Sequence, residues 1–224
     1  SGKRCVEEAL GIAPRPPPII QYASPLFSSK CHRLQPDRTP RTIGAADPYL
    51  TPSRPKIMPK KKIHLVCNAH LDPVWLWHWE DGLTEAISTF RIAADFCESH
   101  GGFVFNHNEA LLYRWIEQHD PPLFARIRSL VAAGRWHISG GSYLQPDVNN
   151  PHGESHIRQY LLGLSYFAEK FDARPRTAYN FDPFGHPEGF AQILRGCGMD
   201  SYIFCRPDYG THDLPVGAFR WRDR

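Results

Sequence analysis

The sequence predicts an α/β domain in which a mostly parallel sheet alternates with helices, and three observations support this prediction. From residue 63 onward, short apolar segments alternate with segments whose apolar residues recur at helical spacing. Parallel strands need long return connections, which helices supply. Each apolar segment also ends in polar or ionisable residues, and in α/β folds ligands bind at the carboxyl ends of the strands.

Residues 1–60 differ from the rest in composition. They contain 11 of the 21 prolines and show no sustained helix or strand period. Residues 1–62 also hold 12 Lys and Arg against 4 Asp and Glu. We therefore expect a Pro-rich, basic, disordered tail over 1–60 and a folded domain over 61–224. Because the charges are scattered among prolines, we favour a solvated tail over a nucleic-acid or anionic-membrane arm, and no nucleic-acid partner is expected.

The first half of the domain is predicted to run strand, helix, strand, helix. The continuous apolar run over 63–67 is typical of a buried strand. Apolar residues then recur every three or four positions over 83–97, and Gly101 follows as a stop signal. A second strand is expected over 103–105, and a second helix over 110–116.

The second half continues the alternation. A helix over 123–131 follows Asp120-Pro121 and stops before Gly134, the usual placing of cap, proline and glycine. A long amphipathic helix covers 157–171. The other expected elements are strands over 136–138, 177–180 and 202–205 and a helix over 190–194.

The segment HLDPVWLW follows the first strand. His70 and Asp72 are two residues apart, so in extended backbone their side chains share one face, and an imidazole beside a carboxylate suits Zn²⁺. Trp75, Trp77 and Trp79 crowd the same loop. They are explained either by core packing or by a platform on which a sugar stacks.

The other strands also lead into polar residues. The second ends in 106–109, the third leads to Asp147, the fourth to Asp182 in NFDPFGHP, and the fifth to Arg206 in FCRPD. Nothing in folding requires five such endings, so together they predict an active-site rim.

Three histidines have competing interpretations. His152 and His156 are spaced i,i+4 and would share a helix face suited to a metal, but a solvated helix start is favoured. His186 follows a glycine in a turn, where hydrogen bonding to the loop backbone competes with ligation.

Cysteine usage and hydropathy indicate the compartment. Six cysteines form no CxxC pair, and the domain's four are expected to be buried free thiols: Cys67, Cys97, Cys197 and Cys205. No run of 18 apolar residues and no signal segment is present, so we expect no membrane span and a cytoplasmic location.

HLDPVWLW and NFDPFGHP, read together with GRWHISGGSYLQPD and FCRP, resemble glycoside hydrolase family 38, the retaining zinc-dependent α-mannosidases. The similarity runs from about residue 63 to 221. It implies a partial (β/α) barrel, the N-terminal part of the family's catalytic domain, truncated at its C-terminus.

The resemblance also implies roles for individual residues. His70 and Asp72 would bind zinc, and Asp182 would be both a zinc ligand and the catalytic nucleophile. The residues expected at the substrate are Trp75 and Phe184 in the sugar pocket, Arg206 beside the nucleophile, and Asp147 near the pocket.

The function implied is hydrolysis of terminal α-mannosides in mannose-containing oligosaccharides or glycosides, within mannose metabolism. The family's general acid/base and fourth zinc ligand would lie beyond Arg224, so we expect this chain alone to be incomplete and inactive. The alternatives are a metal-dependent polysaccharide deacetylase-like hydrolase, which would activate water, and a non-catalytic fragment whose basic tail is the functional element.

Overall fold

The computed structural model describes residues 20–23 (backbone only), 63–207 and 218–222. Five helices alternate with strands, as α/β patterning requires. The helices are α1 (Trp79–Ser99), α2 (Ala110–His119), α3 (Pro121–Ala132), α4 (Gly153–Phe171) and α5 (Phe190–Gly196). The strands are β1 (Ile20–Ala23), β2 (Phe105–Glu109), β3 (Trp136–Ser142), β4 (Thr177–Asn180), β5 (Ser201–Phe204) and β6 (Ala218–Arg220).

These strands form two short sheets. One pairs β2 with β3 in parallel, and the other has the order β4-β5-β1-β6. The pairings of β5 with β4 and β1 are parallel, and only β1 with β6 is antiparallel. The predicted α/β class with parallel pairing is therefore confirmed. The partial barrel and the truncation stay predictions.

Two strand predictions need correction. In the run over 63–67, only Cys67 pairs with a described residue, through a single bridge to Phe105. Val66 is 69% exposed, so an apolar run that looked buried lies at the surface instead. The second strand starts at Phe105 and continues through the polar residues to Glu109, because that whole stretch is buried.

The structure places one four-residue strand inside the predicted tail. β1 lies inside 1–60, where no regular element was expected, and its backbone pairs with β5. The segment IQYA lacks proline and has residues that favour strands, so local sequence permits this pairing. The rest of 1–60 lies outside the described residues, and its disorder stays a prediction.

Local chemistry explains the helix starts. The Leu123 backbone N–H donates to the Asp120 carboxylate at 3.1 Å, which caps α3 with proline at its first turn, as predicted. At the start of α1, the His78 N–H donates to Asp81 at 3.2 Å. Gly82 is required there, because a Cβ would lie 2.1 Å from the Pro73 carbonyl oxygen.

The core consists of two clusters. The first lies among α1, α2, α3 and β2, and in it the Trp136 indole N–H donates to the Tyr113 hydroxyl at 2.8 Å. The second joins α4, α5 and β5 around Tyr160, Phe190 and Tyr202. No helix in the described residues is long and apolar enough to cross a membrane.

Candidate active site

The first loop places the predicted metal-binding pair together. His70 Nε2 lies 3.2 Å from Asp72 Oδ1, and both side chains are partly exposed, by 34% and 41%. The Trp77 indole N–H donates to the Asp72 carbonyl oxygen at 3.2 Å, and its ring meets Trp75 edge-on at 5.5 Å. Trp77 thus fixes the loop, whereas Trp75 is 67% exposed and presents its ring to solvent.

Asp182 and Arg206 meet across the ends of β4 and β5. Arg206 Nη2 lies 2.9 Å from Asp182 Oδ1. The separation is that of an ion pair, although no N–H points along it well enough to make a hydrogen bond. Asp182 Oδ1 is also shielded from solvent and lacks a hydrogen-bond partner among the described residues. It therefore retains capacity for a ligand.

His186 joins these two loops. Its Nε2 lies 2.7 Å from the Arg206 carbonyl oxygen, which only accepts, so Nε2–H is the donor. Nδ1 then accepts from the Tyr202 hydroxyl at 3.3 Å. Burial lowers the pKa of His186, which favours this neutral form. Of the two interpretations of His186, the structure supports hydrogen bonding to loop backbone.

His152 and His156 are not arranged as a metal pair. His152 caps α4, accepting from the Glu154 N–H at 3.3 Å. His156 is 2% exposed, and its Nε2 lies 3.2 Å from the Val148 carbonyl oxygen. The favoured helix-start interpretation therefore suits His152, whereas His156 is buried and contacts the loop after β3.

Asp147 shapes the loop after β3. Its carboxylate accepts from the Asn149 N–H at 3.2 Å and from the Asn150 amide at 2.7 Å. Asn149 in turn donates to the Phe184 carbonyl oxygen at 3.3 Å. Phe184 itself is 69% exposed. Asp147 thus organises the loop that meets Phe184, and direct contact with substrate stays a prediction.

The polar residues 106–109 were predicted as part of the rim, without individual roles, and they are buried in the structure. Glu109 is 1% exposed, and its Oε1 accepts from the Gln145 N–H at 3.0 Å. Burial, with a contribution from Asp72, raises the pKa of Glu109 to about 7. Burial likewise lowers the pKa of His107 to about 3. The signal in the sequence was the polar run NHNE directly after the start of an apolar strand. Polar side chains at such a position are rarely buried unless they have a structural or functional role.

The predicted metal ligands are only partly assembled. Within residues 63–207 and 218–222, no three His, Cys, Asp or Glu side chains lie together as a metal site requires. The structure pairs His70 with Asp72 and, separately, Asp182 with Arg206. The convergence of all three ligands stays a prediction.

Known proteins resemble this chain over the same region. The profile "Glycosyl hydrolases family 38 N-terminal domain" matches residues 60–224. Alpha-mannosidase G of Dictyostelium discoideum is 27% identical over 161 residues, covering 71% of this chain and 15% of that protein. Lysosomal alpha-mannosidase of Cavia porcellus is 31% identical, covering 66% of this chain and 16% of that protein.

Solved structures agree on the fold. The crystal structure of an alpha-mannosidase from Enterococcus faecalis V583 superposes with a TM-score of 0.58 at 23% identity, covering 62% of this chain and 16% of that one. The chain thus spans about 15% of the length of the first relatives it matches.

Proposed function

The chain belongs to glycosyl hydrolase family 38, and from this premise we propose that the complete protein hydrolyses terminal α-mannosides with retention of anomeric configuration. The observation that carries the proposal is the Asp182 carboxylate, held 2.9 Å from Arg206 at the carboxyl ends of β4 and β5. Mannose-containing oligosaccharides or glycosides are the proposed substrates.

Asp182 would act as the nucleophile. Its carboxylate oxygen forms a bond to the anomeric carbon while the bond to the leaving oxygen breaks, and that oxygen takes a proton from a general acid. Water then gives a proton to the former general acid, which now acts as base, and attacks the same carbon, so that the ester bond to Asp182 breaks and the free carboxylate is restored. Arg206 orients the carboxylate between the two steps.

The exposed rings of Trp75 and Phe184 would receive the sugar. Both present flat apolar surface to solvent, Trp75 in the loop before α1 and Phe184 in the loop after β4. The C–H faces of a pyranose pack on such rings, and the hydroxyl edges remain free for polar residues. The edge contact with Trp77 holds the Trp75 ring in place.

The donor set at the rim fits zinc. His70 offers an imidazole nitrogen, Asp72 offers a carboxylate, and Asp182 Oδ1 is a buried oxygen without a hydrogen bond. These three residues would hold the ion, which when bound supplies a Lewis acid that grips and orients substrate hydroxyls. The chain's own part is to bring the Asp182 loop against the His70 loop.

Glu109 and Asp147 are two carboxyl groups near the strand ends, and neither suits the role of an internal general acid. Glu109 is 1% exposed, so its carboxyl does not reach a substrate. Asp147 uses both carboxylate oxygens to hold Asn149 and Asn150. We therefore propose that the 224-residue chain alone is inactive toward mannosides whose leaving group needs protonation.

An activated donor tests the nucleophile without needing the acid. Fluoride departs without protonation, so an α-mannosyl fluoride with slowed turnover should label Asp182 in the zinc-supplemented chain. Peptide mass mapping should place one glycosyl group on Asp182, none on the D182N variant, and far less from the gluco-configured reagent. Absence of an adduct, or equal labelling of D182N, would contradict the proposal.

A further inference from the structure

We propose that Gln145 is a positioning residue for Asp182, because it fixes the backbone directly before that carboxylate. The nucleophilic role of Asp182 rests on the function proposed above. The placement of Asp182 by Gln145 does not depend on that role and is tested without catalysis.

The turn after β4 is held at two adjacent points. The Phe181 backbone N–H donates to Gln145 Oε1 at 2.8 Å. The Asn180 side-chain amide donates to the Pro146 carbonyl oxygen at 2.8 Å. The segment 145–146 thus binds the two residues that immediately precede Asp182 and sets the direction in which its side chain leaves the strand.

Gln145 is itself anchored from two other elements. Its backbone N–H donates to Glu109 Oε1 at the end of β2. The preceding residue, Leu144, donates its N–H to Gln159 Oε1 on α4 at 2.9 Å. Since Glu109 is buried, Gln145 is tied to the interior of the domain and transmits a fixed position to the β4 turn.

The sheet topology explains why this link matters. In the part of the chain that the structure describes, β3 and β4 belong to different sheets and share no ladder of backbone hydrogen bonds. A continuous ladder would position the β4 turn relative to β3. Here the hydrogen bonds to Gln145 and Pro146 position the β4 turn instead, at the carboxyl edge of the strands, where the site lies. Hydrogen bonds that involve side chains therefore replace backbone pairing between β3 and β4.

The experiment compares Q145L with a matched control. Q145L keeps the side chain's approximate size and removes the acceptor of the Phe181 N–H. Q192L makes the same substitution at an exposed glutamine on α5, which takes no part in the hydrogen bonds that hold Gln145 or the β4 turn. In the 224-residue chain, NMR gives the Phe181 amide exchange rate and the Asp182 carboxyl ¹³C signal.

We expect Q145L to speed Phe181 exchange by about tenfold, as loss of an ordinary hydrogen bond does, and to shift the Asp182 carboxyl signal. Q192L should change neither readout beyond its effect on global stability, measured by urea unfolding. Q145E keeps an oxygen acceptor and should restore both readouts at pH 6, where Glu109, whose pKa burial raises to about 7, is mostly neutral.

Two results would overturn the proposal. One is a Phe181 exchange rate and an Asp182 signal in Q145L that match the wild type. The other is an equal change in Q192L, which would assign the effect to the loss of any glutamine rather than to the contacts of Gln145. If the NMR changes occur but Asp182 is never labelled by the mannosyl fluoride, then the positioning role stands and the proposed function fails.

Discussion

Because of Glu109, the free energy of unfolding should fall as pH rises, and the E109Q substitution should remove this decrease. Burial raises the pKa of Glu109 from its ordinary 4.5 to about 7. Between these values the folded state holds a proton that the unfolded state has released, so the free energy of unfolding falls with rising pH. At about 1.4 kcal/mol per pH unit, the full effect is about 3 kcal/mol, complete above pH 7.

Urea unfolding at pH 4, 5, 6, 7 and 8, with a chelator present, measures the effect. Gln keeps an acceptor for the Gln145 N–H and does not titrate. The free energy of unfolding of E109Q, relative to that of the wild type, should therefore rise by about 3 kcal/mol from pH 4 to pH 8. Taking this difference cancels the opposite contribution of His107, whose lowered pKa makes the fold lose stability at low pH.

E85Q is the matched control, since it removes an exposed carboxylate from α1. A difference between E109Q and wild type that stays constant with pH would refute the reasoning. That result would mean that Glu109 is ionised and compensated within the fold, rather than held neutral by burial. A difference that grows equally in E85Q would point to overall charge instead of the buried site.

Three further predictions follow from specific contacts. Y113F removes the acceptor of the buried Trp136 N–H and should lower the free energy of unfolding by about 1–3 kcal/mol, measured by urea unfolding. A cost below about 0.5 kcal/mol, the range of ordinary surface substitutions, would contradict this. H186F removes the donor to the Arg206 carbonyl oxygen and should shift the NMR signals of the Arg206 guanidinium, whereas H186Q keeps a donor and should largely preserve them. Equal shifts in the two variants would argue against the hydrogen bond. H70A should weaken zinc binding by at least about tenfold in calorimetry, since it removes one ligand; unchanged affinity would exclude His70 as a ligand.

The sequence predicted the helices well because each buries an apolar stripe, and the stripe appears in the spacing of residues. β4 was also placed correctly, since its short run is bounded by a turn. The prediction of a strand over 63–67 was wrong because an apolar run does not reveal whether neighbouring elements cover it. β2 was misplaced because polar residues normally mark the end of a strand, whereas 106–109 are buried.

The site residues that belong to motifs were predictable from the sequence, whereas those whose role depends on contacts in the folded chain were not. The motifs named Asp182 and Arg206, and the structure pairs them. Gln145 carries no such pattern, because one glutamine holds Phe181 through geometry that only the folded chain creates. Glu109 lies in the polar run NHNE, which predicted a place at the rim, but its burial depends on how β2 meets the loop after β3.

Helix α4 contributes to both hydrophobic clusters, with Phe167 in one and Tyr160 in the other. Because β3 and β4 belong to different sheets, the two halves of the domain share α4 more than they share a sheet. Substitutions confined to opposite halves should therefore have additive energetic effects, while those in α4 should show epistasis with partners on either side. In a mutational scan, α4 would stand out as the element whose tolerance depends most on the rest of the sequence.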